Sequence, residues 1–285
     1  MKKIFINLML IASVFALTYC GGKGGNSEGG DTTQATDTSA TANNDTTNTT
    51  TTATKKYTLV PVESPAFADA ELSIKNLEND AKLKEGENTF EFEVKNYKLG
   101  EQTPDAKDKG LANSGKGQHI HWILNNDPYS AHYEPTVKKE LKAGSYVVLA
   151  FLSRSYHESV KNGKSFVIRK FSVGDAEPSK ADFKAPHMFY SRPKGTYKWN
   201  AGDKLLLDFF LLNVELSADG NKVKATINGE EHMIDKWQPY AIEGLEAGKV
   251  TVKLELVDKD GNAIEGPFNT VEREVTLEAA TAEAK

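Results

Sequence analysis

The chain is short of several things. It has one cysteine, Cys20, in 285 residues, so no intrachain disulfide can form and any fold must be held by its apolar cores. Neither sign of charge dominates. With 35 Lys+Arg against 40 Asp+Glu the formal net charge is -5, a balance that argues against nucleic acid or an anionic membrane surface as partner. No apolar run is long enough to span a bilayer: the stretch Ile4 to Leu17 is too short and is preceded by Lys2 and Lys3. Helical periodicity is scarce beyond Tyr57. Ser153, Ser155 and His157 lie close in sequence, but no Gly-x-Ser-x-Gly elbow surrounds them and no marked acid orients the histidine, which makes a hydrolase the weakest reading.

The N-terminus reads as a targeting segment. Residues 1-19 have a short basic start and an apolar core that ends in Leu17-Thr18-Tyr19-Cys20. That ending resembles the lipobox of bacterial lipoproteins, in which the cysteine is acylated; Tyr19 stands where the family has a small residue. The resemblance implies lipidation at Cys20, anchorage in the cell envelope with the outer membrane as the expected site, and a membrane partner through that anchor. An ordinary secretory leader is the alternative. Residues 20-56 are rich in Thr, Asp, Ser, Asn and Gly with almost no large apolar side chain, a composition that reads as a tether because it cannot bury enough surface to offset chain ordering. Asp31-Thr32-Thr33 and Asp45-Thr46-Thr47 resemble acceptor sequences for bacterial O-glycosylation; a bare solvated spacer is the alternative.

The remainder reads as all-β, two tandem immunoglobulin-like β-sandwich domains at 57-174 and 182-278 with a tail at 279-285. Candidate strands are Tyr57 to Val62, Glu71 to Lys75, Thr89 to Lys95, His119 to Leu124, Tyr146 to Ser153 and Ser165 to Val173, then Lys204 to Leu212, Val223 to Ile227, Lys249 to Val257 and Val271 to Leu277. Short strands at this spacing fit sandwiches.

The two blocks look like one unit used twice. Leu141-Lys142-Ala143-Gly144 matches Leu245-Glu246-Ala247-Gly248, and upstream Phe92, Val94 and Asn96 match Phe209, Leu211 and Asn213. The change of offset leaves the first block with an excess that falls between Gly100 and Gly117, where extra loop length is more often functional than structural. Ile120, Trp122 and Leu124 align with Val223, Ala225 and Ile227 as an inner face, while His119 and His121 align with Lys222 and Lys224 on an outer one. Val147, Leu149 and Phe151 align with Thr251, Lys253 and Glu255, so the first block has an apolar outer face where the second is polar. Such a face needs a cover. The candidates are the extra loop, the second domain through Phe210 and Leu212, or a ligand.

The polar chemistry lies beside that face. His119 and His121, on one face of an alternating strand, could converge on an ion, with His132 and His157 as further ligands, which points to zinc or copper held by two to four imidazoles. Packing of these histidines against the overlying loop is the alternative. Arg154, Tyr156, Phe151 and Arg192 are candidate ligand-binding residues, the arginines as forks for a carboxylate or phosphate. Asp258-Lys259-Asp260-Gly261-Asn262 begins like a calcium loop but is more simply a hairpin turn.

Three motifs carry a wider resemblance: Gly117-Gln118-His119-Ile120-His121, Ala150-Phe151-Leu152-Ser153-Arg154-Ser155-Tyr156-His157-Glu158-Ser159, and Met188-Phe189-Tyr190-Ser191-Arg192-Pro193-Lys194-Gly195. Together, from Leu59 to Leu277, they resemble a family of exported bacterial lipoproteins often labelled phosphopeptide-binding protein. The first run also resembles a small β-domain of unknown function in other exported proteins. Neither likeness supplies catalytic residues. The expectation is a cell-envelope binding module, not an enzyme, with a metal or small ligand on the first domain and no nucleic-acid partner; a structural lipoprotein that docks an envelope protein is the alternative.

Overall fold

The structure, a computed structural model, describes residues 57–280. Cys20, the tether and its acceptor-like sequences lie outside the described residues. Seventeen strands are present: β1 Thr58–Pro61, β2 Glu71–Ile74, β3 Ala81–Leu83, β4 Gly86–Lys95, β5 His119–Leu124, β6 Ser130–His132, β7 Thr136–Leu141, β8 Gly144–Ser153, β9 Phe166–Val173, β10 His187–Arg192, β11 Thr196–Trp199, β12 Lys204–Leu212, β13 Lys222–Ile227, β14 Glu230–Ile234, β15 Tyr240–Glu243, β16 Gly248–Val257 and β17 Thr270–Ala279.

They form four sheets that repeat one topology. The first sandwich has sheets β2-β4-β7 and β3-β9-β8-β5-β6; the second has β10-β12-β15 and β11-β17-β16-β13-β14, strand for strand the same order. In both, the short second strand pairs parallel with the last, β3 on β9 and β11 on β17, while the other pairs are antiparallel. This is the immunoglobulin-like arrangement, two mainly antiparallel sheets packed face to face. Local chemistry repeats too. Asn125 and Asn228 both sit at positive φ after β5 and β13, where each side-chain oxygen accepts a backbone N–H near the start of the next long strand, Val147 of β8 at 2.7 Å and Thr251 of β16 at 3.0 Å. An asparagine tolerates the left-handed turn and caps it at once.

One strand departs from the expected domain boundary. β1, read from the sequence as the first strand of the first block, pairs with β15 and extends the β10-β12-β15 sheet of the second sandwich. A four-residue strand carries no partner information in its sequence; the equivalent edge of the first sandwich, β7, carries no added strand among the described residues.

The sheets stack in four layers with three apolar seams. Phe90, Phe92, Ile120, Trp122, Val148, Ala150, Leu152 and Phe171 fill the first sandwich, and Leu205, Leu207, Phe209, Leu211, Val223, Ala225, Val252 and Leu254 fill the second. Between the sandwiches, Ile123, Val147, Leu149 and Phe151 meet Phe189, Phe210 and Phe268. The central strands record this directly. β13, with only one face covered, alternates buried and half-buried residues, whereas β5, β8, β10 and β12 are buried on both faces for most of their length. The apolar outer face of the first block is thus covered by the second domain. Phe151 stacks on Phe210 with ring centroids 5.1 Å apart and planes 13° apart, while Leu212 is only half-buried and outside that seam.

A polar clamp crosses the same seam. Asp208, fully buried on β12, accepts hydrogen bonds from Lys161 Nζ at 2.5 Å, Ser159 Oγ at 3.1 Å and the Ser159 amide at 3.2 Å. The extra loop of the first block, residues 96–118, also reaches across: Leu111 bridges Lys204, and Ala106 and Leu111 pack with Tyr156, Leu206 and Ala241.

Candidate metal centre

β5 places His119 and His121 on the outer face of its sheet, opposite Ser153 and Phe151 of β8, so they face the second sandwich rather than the core between the sheets. Both are completely buried. His157 arrives from the turn that follows β8, closed by bonds from the Arg154 amide to the Glu158 carbonyl at 2.8 Å and from the His157 amide to the Arg154 carbonyl at 2.9 Å. His157 holds φ +70°, a left-handed conformation that costs an L-residue about 1–2 kcal/mol and that clusters at functional positions. The equivalent turn of the second sandwich has the same two bonds, Asp258 amide to Asn262 carbonyl and Gly261 amide to Asp258 carbonyl, and has Gly261 at φ +85° in the histidine's place. That turn is the calcium-like sequence. Its Asp258 carboxylate is engaged by the amides of Asp260 and Asn262, both at 2.9 Å, which agrees with the hairpin-turn reading.

The three imidazoles converge. His119 Nε2 lies 2.9 Å from His121 Nε2 and 3.1 Å from His157 Nδ1, and the three nitrogens all lie within 4.8 Å of one another. Since His119 Nδ1 sits 2.8 Å from the Gly117 carbonyl, that nitrogen carries the proton and donates it, which leaves Nε2 with its lone pair directed at the other two rings. The extra loop fixes this carbonyl: the Gly100 amide donates to Gln118 O at 2.8 Å and the Gln118 amide to Glu101 O at 2.7 Å. The fit there is close enough that a Cβ on Gly117, at φ +83°, would fall 2.4 Å from the Gly100 carbonyl oxygen. His121 Nδ1 is buried with no hydrogen-bond partner among the described residues.

Aromatic rings and cations close the surroundings. Tyr129 stacks on His121 at 3.5 Å and 13°, and its hydroxyl lies 3.2 Å from His157 Nδ1. Tyr133 lies 5.0 Å from the His119 ring and bonds Ser114 of the extra loop. From the second sandwich, Lys194 Nζ sits 4.1 Å and Arg192 Cζ 5.2 Å from the centroid of the Tyr129 ring. Lys194 donates to the Tyr129 carbonyl at 2.7 Å, and Arg192 to the Tyr197 hydroxyl at 2.6 Å. Burial above all, then the nearby Arg192 guanidinium, holds the His119 imidazolium pKa down at about 4, and burial drives His121 and His157 well below the ordinary value. Lys194 is itself pushed down to about 8 by burial and by Arg192 and Arg273. All three imidazoles are therefore neutral at ordinary pH, the form in which histidine ligates metals.

The other sequence candidates fall elsewhere. His132 is a correction: it ends edge strand β6, its Nε2 lies 2.9 Å from Ser130 Oγ, and it does not join the cluster. Across the β5–β6 pair His132 lies opposite Ile120, and Ala131 is the residue that pairs with His121. Arg154 is buried and committed to Glu158 at 2.9 Å and to the carbonyls of Ser159 and Pro65, so it is no free fork. Tyr156 packs under the extra loop and Phe151 against Phe210. Of these four, Phe151, whose ring centroid lies 5.1 Å from that of His121, and Arg192 border the histidines. Sequence reasoning missed Tyr129, Tyr133 and Lys194. Loop residues have no parity to read, but the repeat did hold a signal for His157, which aligns with a glycine.

No family model matches the chain, and no curated protein is significantly similar to it. Among solved structures it matches fibronectin(III)-like modules of Clostridium thermocellum CbhA at 13% identity, over 75% of this chain and 97% of that one, with a TM-score of 0.28. It also matches SGBP-B of the Bacteroides ovatus mixed-linkage glucan utilization locus, solved with a mixed-linkage heptasaccharide, at 14% identity over 72% and 47% with a TM-score of 0.20. A third match is the two tandem V-type regions of the chitin-binding protein VCBP3, at 10% over 73% and 100% with a TM-score of 0.22. At these values the matches carry no argument about function, and the architecture rests on the strand pairing described above.

Proposed function

We propose that the protein is a lipid-anchored binding module of the cell envelope whose first sandwich holds a metal ion between His119, His121 and His157. The observation that carries this is the convergence of three neutral imidazole nitrogens, one of them oriented by a backbone carbonyl and one supplied from a left-handed turn that glycine occupies in the sister domain. A strained histidine is retained where something uses it. Zinc–nitrogen bonds of about 2.0–2.1 Å place tetrahedral ligand nitrogens about 3.3 Å apart, within a few tenths of the 2.9 and 3.1 Å that separate His119 Nε2 from the other two, and all three lie within 4.8 Å of one another. The leader and Cys20 support export and anchorage; the paired sandwiches then serve as a rigid mount for the site.

Elemental analysis of the full chain, purified in detergent after growth with added zinc and copper, tests this. About one equivalent of metal in the parent, and its loss in the variant His119→Gln/His121→Gln/His157→Gln, is the expected result. A metal content unchanged by that triple substitution would overturn the reading and leave the histidines as packing.

A further inference from the structure

The histidine cluster has an unusual charge environment for a divalent ion. The residues that converge with ligand atoms are three neutral imidazoles; among the described residues no carboxylate or thiolate joins them. The charged groups that do face the cluster are both positive. Arg192 and Lys194 lie over the same phenol ring on which His121 stacks, so each charge is separated from the imidazole by little more than the neighbourhood of one side chain. Arg192 is buried, and its Nε has no hydrogen-bond partner among the described residues. Its fork donates to a hydroxyl, that of Tyr197, rather than to a carboxylate. Repulsion between this pair and a bound ion is undiminished by any acidic partner among the hydrogen bonds and ion pairs of either residue.

Coulomb repulsion from fixed neighbours is proportional to the charge of the ion. Zn²⁺ therefore meets twice the repulsion that a monovalent ion meets, and it also wants a fourth donor, as its structural sites are almost always four-coordinate. Where three imidazoles hold zinc, a water ordinarily fills the fourth position. Here the nearest further donor is the Tyr129 hydroxyl, 3.2 Å from His157 Nδ1, and no carboxylate or thiolate lies beside it among the converging groups. Cu⁺ carries a single charge, is satisfied by two or three soft or borderline donors, and accepts imidazole. The aromatic surround of Tyr129, Tyr133 and Phe151 suits an ion that needs no water ligand.

Resting on the metal-site reading above, we infer that the site is built to prefer Cu⁺ over Zn²⁺, with Arg192 and Lys194 of the second sandwich acting as the residues that select against divalent ions. The two sandwiches then divide the work. The first supplies the ligands and the second supplies the charge that sets which ion they keep.

The test compares affinities in the full chain in detergent, with bicinchoninate competing for Cu⁺ under ascorbate and a chromophoric chelator competing for Zn²⁺. The expected result is Cu⁺ bound at least tenfold more tightly than Zn²⁺. In Lys194→Gln, a half-buried position whose loss the fold should tolerate, both affinities rise, and the logarithm of the gain for Zn²⁺ is about twice that for Cu⁺, as the charges require. Arg192→Gln gives the same ratio if its circular dichroism and unfolding midpoint match the parent. Tighter binding of Zn²⁺ than Cu⁺ by the parent, or equal gains for the two ions in Lys194→Gln, overturns the selectivity while leaving the metal site in place. Failure of both ions to bind in a manner dependent on the three histidines overturns the site itself.

Discussion

His157 and Gly261 occupy the same position of the same turn in the two sandwiches, at φ +70° and +85°. The sister domain uses the residue that the backbone prefers, and the first domain accepts strain to bring an imidazole within 3.1 Å of His119. Restoring the glycine should separate stability from binding. His157→Gly relieves about 1–2 kcal/mol of left-handed strain, which offsets the loss of ring contacts, so urea unfolding of the metal-free protein is expected to shift by no more than about 1 kcal/mol while the metal-induced rise in the unfolding midpoint disappears. A full metal-induced shift in this variant would show that His157 is no ligand.

The seam between the sandwiches is expected to behave as a core. Phe210 is fully buried against Phe151 and Trp237, and truncating such a ring costs about 3–5 kcal/mol. Phe210→Ala should lower stability in urea by that amount. A double-mutant cycle with Phe151→Ala should return a coupling of about 0.5–1.5 kcal/mol, the excess that a well-placed ring pair contributes beyond its area.

Asp208 has no exposed surface and is held by Lys161 and Ser159 across the seam. Removing one partner of a buried pair strands the other, at a cost of about 3–5 kcal/mol. Asp208→Ala is therefore expected to destabilise more than Lys161→Met combined with Asp208→Leu, which removes both charges together. Chemical denaturation of the three proteins gives the order directly.

Stability should also depend on pH through the buried imidazoles. In the unfolded chain a histidine titrates near 6.5, whereas in the fold burial holds His119 and His132 down at about 4 and drives His121 and His157 well below the ordinary value. Below pH 6.5 the unfolded state binds more protons than the native state, so stability falls as pH drops. The loss should begin near pH 6.5 and, for His119 and His132, be complete once pH passes through about 4. Thermal melts of metal-free protein across this window check it; the triple glutamine variant should show a shallower slope, since only His132 of the four remains.

Much of this architecture is legible in the sequence because inward faces alternate strictly. Ile120, Trp122 and Leu124 and their counterparts Val223, Ala225 and Ile227 declare the repeat, and the mismatch of Val147, Leu149 and Phe151 with Thr251, Lys253 and Glu255 declares a second buried face. The strands that escape notice are short or polar: β3, β6, β11 and β15 have three or four residues, too few to show a period, and β7, β10 and β14 mix charged or histidine positions into theirs. Two histidines of the site are visible as a parity violation, and the third through its turn. Tyr129 and Lys194 are not, because they reach the cluster from loops whose course depends on how two sheets meet.

β1 has a mechanical consequence. The described residues begin with this strand, which zips to β15 of the second sandwich by four residue pairs, and the chain only then runs by way of residues 62–70 into the first. A pull applied to the chain ahead of Thr58 is therefore borne first by the β1–β15 hydrogen bonds, at an edge of the second sandwich, and reaches the sheet that bears His119 and His121 only after that strand has come away. If the tether is a leash to a membrane, β1 is its strain relief, and the histidine cluster is shielded from the tension on the line.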